Sequence, residues 1–317
     1  MKIVYWNHMP LAEAAVNEKL AKVDGAEIVR VKTLDELAAA LPGADGMISP
    51  DVPEQYADAV GALLRQPDCK VRWLHVVTAG REGYEQAKLP ERITVTGPAG
   101  AHSPALAEHA MAFLLAWTRQ IPAFADGTAR GEWDRKPVTK MSSLEGRTLG
   151  IVGLGHAGLG VAKRARPFEM KIIAANRTPK SDPLVDKVYP LSELKEMLAA
   201  CDFIVVTIAA SADTQHLIGA AELAVCKPNA YLVNVARGSA IEPAALEDAL
   251  RTGRIAGAGI DVTEPEPLPP GHSLWSAPNL IISPHVGGGQ SPRSIERIAG
   301  RVAENLVKFI NGTVTPT

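Results

Sequence analysis

The sequence is poor in the features that mark a specialised chain. Cys69, Cys201 and Cys226 are its only three cysteines in 317 residues, and none falls in a CxxC pair. An odd, dispersed set gives neither a disulfide framework nor a thiolate metal site, and it reads as reduced thiols in a cytoplasmic protein. No histidine, cysteine or carboxylate spacing fits a metal centre, so none is expected. Charge of one sign is also lacking. With 33 basic and 35 acidic residues the formal net charge is -2, which leaves no electrostatic footprint for nucleic acid or an anionic membrane. Long apolar runs are missing too. The greasiest stretch, "ALAEHAMAFLLAW", is interrupted by Glu108 and His109, which excludes a membrane span. "MKIVYW" has no extended apolar core of a signal peptide and reads as a first β-strand. No solenoid-type repeat and no low-complexity segment occurs.

What is present is an ordinary globular composition, 46% apolar and 21% charged, in a chain long enough for two domains. The first third alternates strand and helix. "KIVYW", "AEIVRV", "GMIS", "VRWLHVV" and "ITVTG" are strand candidates, and "LAEAAVNEKLAK" has helical periodicity. Thr33 with Glu36 fits a capping box opening "LDELAAAL". After "GPAGAHSP" comes an amphipathic helix with Leu106, Ala110, Phe113, Leu114 and Trp117 on one stripe. A polar segment, "DGTARGEWDRKPVTK", then leads into a second alternating series. "TLGIVG", "KIIAAN", "FIVVTI", "YLVNVA", "AGAGIDV" and "LIIS" are its strands. Such alternation implies α/β units with parallel sheets. Candidate hinges rich in Gly, Pro and Ser lie near 97–103 and 284–290. A chain returning through the second hinge would lay its last helix, "PRSIERIAGRVAENLVKFI", on the first unit.

"TLGIVG" runs into Gly153-x-Gly155-x-x-Gly158, and an apolar helix follows at once. That is the context of a dinucleotide-binding loop. Gly153 permits the tight turn, Gly155 lets backbone approach a pyrophosphate, and Gly158 lets helix pack close to strand. The phosphates then meet the helix N-terminus. Eighteen residues past Gly158, where an acid would read the ribose 2′-hydroxyl, stand Asn176, Arg177 and Thr178. Losing the acid removes repulsion of a 2′-phosphate, and Arg and Thr offer donors to it. This favours NADP(H), with NAD(H) as the alternative. Gly160 is outside the phosphate pattern and suits helix packing.

Three more segments, "NVARGSAIEPAAL", "GAGIDVTEPEPLP" and "IISPHVGGG", each start at the C-terminal end of a strand candidate. In an open α/β sheet that edge lines the ligand crevice. With the glycine loop, these motifs make the chain similar to the D-isomer-specific 2-hydroxyacid dehydrogenase family, over nearly its whole length and most strongly from Leu144 to His285. The resemblance implies an α/β fold of two domains, Rossmann-like and flavodoxin-like, with parallel sheets. The substrate-binding domain would comprise 1–98 and 287–317, the inserted NAD(P)-binding domain 99–286, and the assembly would be a homodimer. It implies that Arg237 binds substrate, His285 is the general acid–base and Glu266 is its acid partner. The implied cofactor positions are Gly153, Gly155, His156, Ala157, Gly158, Asn176, Arg177, Thr178, Thr207, Ala236 and Asp261, the last beside the nicotinamide amide. The backbone of Thr78, Ala79 and Gly80 would meet the substrate carboxylate.

Elementary chemistry supports the same roles. Reducing a 2-oxo acid needs a hydride, a proton and a cation for the carboxylate. Arg237 can bind a planar carboxylate with paired hydrogen bonds and polarise the adjacent carbonyl. His285 titrates near neutrality and can deliver the proton. A carboxylate at Glu266 would raise the imidazole pKa and fix its tautomer. Glu264, two residues away, is the rival and is read as structural. His109, in "AEH", is read as packing or interface. His8, His75, His216 and His272 have no partner identifiable from sequence. Departures from the family pattern concern substrate. Arg81 is either a contact for a second anionic group or a solvated charge, and His102, Gly97 and Thr263 replace common family residues. The implied activity is reduction of a small 2-oxo acid to the D-2-hydroxy acid by NAD(P)H, with glyoxylate and hydroxypyruvate leading. A bulkier 2-oxo acid is the near alternative, and a dinucleotide-sensing, corepressor-like scaffold is the alternative from another class.

Overall fold

The computed structural model of the protein describes residues 1–289 and 291–316. Residues Met1–His102 with Gln290–Thr317 form one compact unit and Ser103–Gly289 the other.

The first unit holds five parallel strands: β1 (Lys2–Trp6), β2 (Glu27–Val31), β3 (Gly46–Ser49), β4 (Trp73–Val76) and β5 (Thr94–Thr96). Their order is β2-β1-β3-β4-β5, the flavodoxin-like arrangement. Successive β1 residues serve opposite faces, as a strand repeat of two requires. Val4 and Trp6 join one cluster with Leu37, Val60 and Leu64. Ile3 and Tyr5 join the other with Val16 and Leu20. That second cluster is completed by the last helix, Pro292–Ile310, whose Ile298, Val302, Leu306 and Phe309 are buried there. Phe309 stacks on Trp73 at 5.1 Å. The Thr33–Glu36 capping box forms, each backbone N–H bonding the other side chain at 3.2 Å.

The second unit holds seven parallel strands: β6 (Thr148–Val152), β7 (Lys171–Asn176), β8 (Lys187–Pro190), β9 (Phe203–Val206), β10 (Tyr231–Asn234), β11 (Gly257–Ile260) and β12 (Leu280–Ile282). The order β12-β11-β10-β9-β6-β7-β8 is doubly wound, with its reversal between β6 and β9. Both faces are covered. Leu149, Ile151, Phe203, Val205 and Val233 pack on one side, and Val152, Ile204, Val206, Leu232 and Ile260 on the other. Burying each such side chain contributes about 1.5–3 kcal/mol. The Ser103–Thr118 helix lies on the first face. Gly257 and Gly259 make room for it, since a Cβ there would meet the rings of Trp117 at 2.9 Å and Phe113 at 2.5 Å. Gly160 lets the His156–Ala165 helix close on the same helix, a Cβ being 3.2 Å from that of Ala107.

Packing sets the crossings at 102/103 and 289/290, a few residues beyond the 98/99 and 286/287 expected from sequence. Ala101 still belongs to the first unit's core, and Gly287 is bonded to Asp261 in the second. Several elements escaped the sequence reading, among them the helices Glu54–Leu64 and Pro243–Arg251 and two more that packing explains. β8 is a short edge strand ending in proline, and the helix Ile121–Ala129 runs into a stretch that reads as polar loop. Among the described residues no helix is long and apolar enough to cross a membrane. The three thiols are free and buried, and burial pushes Cys201 up to about 12 and Cys226 to about 11.

Candidate active site

Because every strand of the second sheet runs the same way, the residues that follow the strands share one edge. Gly153 follows β6, Asn176 ends β7, Thr207 follows β9, and Arg237, Asp261 and His285 follow β10, β11 and β12.

The glycine loop lies at the sheet's reversal point. Gly153 has φ +97° and its N–H donates to Ala175 at 2.8 Å. A Cβ there would stand 2.6 Å from the backbone of Ile208, so this position needs glycine within the chain itself. Gly158 is buried against Gly153, Ile151 and Thr207. The Thr207 hydroxyl donates to the Gly153 carbonyl at 2.7 Å and so braces the loop from β9. Gly155 differs. It caps the His156–Ala165 helix, is exposed, and a Cβ on it would meet nothing within 4 Å. No packing among the described residues demands that glycine. A ligand lying over the helix N-terminus, such as a pyrophosphate, would use that open approach. His156 is exposed and Ala157 half-buried in the first helical turn. The residues therefore fit a bound dinucleotide.

Asn176 turns inward. Its carbonyl accepts the Leu154 N–H at 3.5 Å and its amide donates to the Thr178 carbonyl at 3.1 Å, tying the glycine loop to the end of β7. Arg177, Thr178 and Lys180 are exposed. Arg177 makes no ion pair or hydrogen bond among the described residues.

Arg237 sits in a turn held by Asn234, a residue the sequence reading did not single out. Asn234 is 1% exposed; its amide donates to the Arg237 carbonyl at 2.9 Å and its oxygen accepts the Ala236 N–H at 3.0 Å. Arg237 itself donates to the Ala236 carbonyl at 2.8 Å. Gly238 lets this turn close on the next loop, because a Cβ there would collide with the backbone of Thr263 and Glu264. The signal for Asn234 was a polar residue ending an otherwise apolar strand.

That next loop carries Glu266. Glu266 Oε1 lies 2.5 Å from His285 Nδ1, and Oε2 accepts the Thr263 N–H at 3.4 Å. An ionised carboxylate only accepts, so Nδ1 carries the hydrogen and Nε2 is left to hold a transferable proton. The Glu266 hydrogen bond holds the His285 pKa above the ordinary imidazole value, against burial and the positive charge of Arg237. For Glu266, burial pushes the carboxyl up. The His285 hydrogen bond and charge, the Thr263 N–H and the Arg237 charge outweigh it, and the result is a lowered pKa. Arg237, Glu266 and His285 thus act on one another electrostatically. Glu264 does not join them. It bonds His216 Nε2 at 2.6 Å and Gln215 Nε2 at 3.1 Å, which gives His216 the partner that sequence could not identify.

His285 has φ +54°, a left-handed conformation that costs a non-glycine residue about 1 kcal/mol or more. Asp261 holds it there. The Asp261 carbonyl accepts the His285 N–H at 2.7 Å. Its carboxylate, 1% exposed, accepts Ser283 Oγ at 2.5 Å and the N–H groups of Val286 at 2.9 Å and Gly287 at 2.7 Å. His109 Nε2 reaches Ser283 Oγ at 2.8 Å.

In the first unit, Thr78, Ala79 and Gly80 follow β4. The Thr78 hydroxyl accepts the Asp51 N–H and donates to the Gly80 carbonyl, both at 2.9 Å. Its side chain is therefore occupied in shaping the loop. The N–H groups of Ala79 and Gly80 donate to nothing among the described residues. Arg81 is paired with Glu85 at 3.3 Å, and His102 Nε2 stands 3.5 Å from the Val77 carbonyl. Among the described residues no group of three or more His, Cys, Asp or Glu is placed to hold a metal.

Residues 111–287 match the model of the D-isomer specific 2-hydroxyacid dehydrogenase, NAD binding domain. A glyoxylate reductase of Thermococcus gammatolerans is 37% identical over 254 residues, 77% of this chain and 75% of its own. A solved D-isomer specific 2-hydroxyacid dehydrogenase family protein from Aeromonas salmonicida superposes with a TM-score of 0.85 at 30% identity, covering 99% of this chain and 97% of that one. An NADPH-dependent glyoxylate/hydroxypyruvate reductase from Sinorhizobium meliloti, in complex with citrate, superposes with a TM-score of 0.80 at 30% identity, covering 100% and 96%. By its glycine loop, by the Arg237, Glu266 and His285 motifs and by these likenesses, the chain belongs to the D-isomer specific 2-hydroxyacid dehydrogenase family.

Proposed function

We propose that this protein is an NAD(P)H-dependent reductase that converts a small 2-oxo acid to the D-2-hydroxy acid. The observation that carries the reading is the 2.5 Å Glu266–His285 pair, under the charge of Arg237, at the strand edge that also bears the glycine loop. When bound, the dinucleotide supplies the hydride for C2 of the substrate. Gly153, Gly155 and Gly158, with His156 and Ala157 at the helix N-terminus, Thr207 and Ala236 at neighbouring strand ends and Asp261 beyond them, are the residues to hold it. The Arg237 guanidinium binds the substrate carboxylate and stabilises negative charge developing on the C2 oxygen. His285 delivers the Nε2 proton to that oxygen, and Glu266 steadies the imidazolium before the transfer. In the first unit, the N–H groups of Ala79 and Gly80, which no described residue accepts, suit a carboxylate, with Thr78 shaping their loop.

NADP(H) is the favoured dinucleotide. Asn176 replaces the acid that would repel a 2′-phosphate, and Arg177 is an exposed cation that the described residues leave unbonded. The relatives named above support glyoxylate or hydroxypyruvate as substrate. Buried, unpaired thiols fit a reducing compartment such as the cytoplasm. A homodimer is supported by apolar side chains left open on the segment 121–138: Trp133 at 95% exposure, Ile121 at 54% and Val138 at 49%.

The test is a panel of 2-oxo acids assayed with NADPH and NADH, using the native protein and Arg177→Ala. Turnover of glyoxylate or hydroxypyruvate is expected, with Arg177→Ala raising KM for NADPH at least tenfold and barely changing that for NADH. No turnover of any 2-oxo acid sinks the enzyme reading. Equal effects on both dinucleotides remove Arg177 from the phosphate.

A further inference from the structure

We infer that His109, acting through Ser283 and Asp261, is a positioning residue that holds the His285 loop in its working conformation. This rests on the proposed role of His285 as proton donor, and extends it to a residue on a different element.

The direction of the hydrogen bonds can be read from the groups involved. Ser283 Oγ donates its single hydrogen to the Asp261 carboxylate at 2.5 Å. Its oxygen is then left to accept, so the 2.8 Å contact to His109 runs from Nε2–H to Oγ. The same Nε2 lies 3.4 Å from Asp261 Oδ1. The result is a chain from His109 through the Ser283 hydroxyl to a carboxylate that also accepts the N–H groups of Val286 and Gly287. Ser283, Val286 and Gly287 flank His285 in sequence, and the His285 N–H itself bonds the Asp261 carbonyl. The strained φ of His285 is thereby fixed from both sides.

The seat of His109 is tight. Its ring meets the edge of Phe113 at 4.8 Å between centroids. A Cβ on Gly287 would stand 3.0 Å from its Cδ2 and 2.7 Å from Asp261 Oδ2. His109 rides on the Ser103–Thr118 helix, which Phe113 and Trp117 anchor into the notches left by Gly259 and Gly257. The imidazole therefore links a rigid core helix to a loop that the backbone alone would not hold in this shape. The buried Asp261 carboxylate meets donors on Ser283, Val286, Gly287 and His109, and removing one leaves unmet hydrogen-bonding capacity.

Three variants test this: His109→Phe keeps volume and removes the donor, His109→Gln restores a side-chain N–H, and Ser283→Ala breaks the chain one link on. His285 is faced by Glu266, Arg237 and Asp261, so loosening its loop weakens the Glu266 bond that raises its pKa. The expected result for His109→Phe is a fall in kcat on the order of 10- to 100-fold and an alkaline limb of the rate profile displaced to lower pH. His109→Gln should recover most of both. Ser283→Ala should resemble His109→Phe, and the double variant should be no worse than either. If His109→Phe lowers only Tm, leaving kcat and the limb in place, the inference is overturned. Additive losses in the double variant overturn it as well. Should His109→Phe fail to fold, Ser283→Ala alone decides by the same two readouts. His285→Ala run in parallel separates the levels: if it keeps full activity, the underlying reading fails, whatever His109 does.

Discussion

At the scale of single residues, the proposed chemistry turns on one proton. His285 is protonated to a higher pH than a free imidazole because Glu266 accepts its Nδ1–H. In the proposed reaction the protonated form is the donor, so reduction should hold below the raised pKa and fade as pH rises through it. Glu266→Gln removes the carboxylate charge and keeps the shape. We expect the alkaline limb of kcat/KM to move to lower pH and kcat to fall by about 10²-fold or more; a limb that stays in place would separate Glu266 from proton delivery. The same pair affects folding. The raised histidine contributes stability that is present below the unfolded pKa and lost as pH rises through the folded one. The lowered Glu266 contributes stability present above its unfolded pKa and lost as pH falls through the folded one. Both groups are more than a third exposed, so solvent screens this contribution. Arg237, Glu266 and His285 were readable as motif residues at strand ends. Ser283 and the partnership of His216 with Glu264 were not, because a hydrogen bond between residues far apart in sequence leaves no mark on local pattern; Asn234 offered only the signal of a polar residue ending an apolar strand.

At the scale of elements, the glycine loop divides into residues that the fold needs and one that it does not. Gly153 is held at positive φ and Gly158 is wedged against the preceding turn. Gly155 is open to solvent on the side where a Cβ would stand. Gly158→Ala should therefore lower stability by about 1–3 kcal/mol through overpacking, seen in thermal or denaturant unfolding of the protein without dinucleotide. Gly155→Ala should unfold like the native protein and yet bind dinucleotide at least tenfold more weakly by titration. If Gly155→Ala proves as destabilising as Gly158→Ala, the open-face argument is wrong. The strongly periodic strands were legible from sequence because a parallel sheet buried on both faces leaves unbroken apolar runs. β8 was missed because an edge strand has less to bury, and the helix Ile121–Ala129 because its Gly127 and polar residues carry turn signals that packing overrides.

At the scale of the whole molecule, the chain leaves its first unit at 102, builds the second, and returns at 290. The return is enforced by burial: Ile298, Val302, Leu306 and Phe309 complete a core otherwise made by the first 102 residues. The assembly proposed above makes a prediction at this scale. Trp133→Ala should shift a dimer toward monomer in light scattering without lowering the unfolding temperature of either unit by more than a few degrees, since a side chain this exposed supports no core of its own. A protein that is monomeric with Trp133 in place removes the dimer. Sequence alone pointed to the class of fold, the glycine loop and the three candidate reacting side chains, because each depends on local pattern: strand periodicity, glycine spacing, a short motif at a strand end. Tertiary structure alone decided the distance at which Glu266 meets His285, that Glu264 pairs with His216, and that Asp261 gathers Ser283, Val286, Gly287 and His109 around the His285 loop. Those outcomes depend on distances between remote segments, which are set by how the sheet and its helices bury their surfaces.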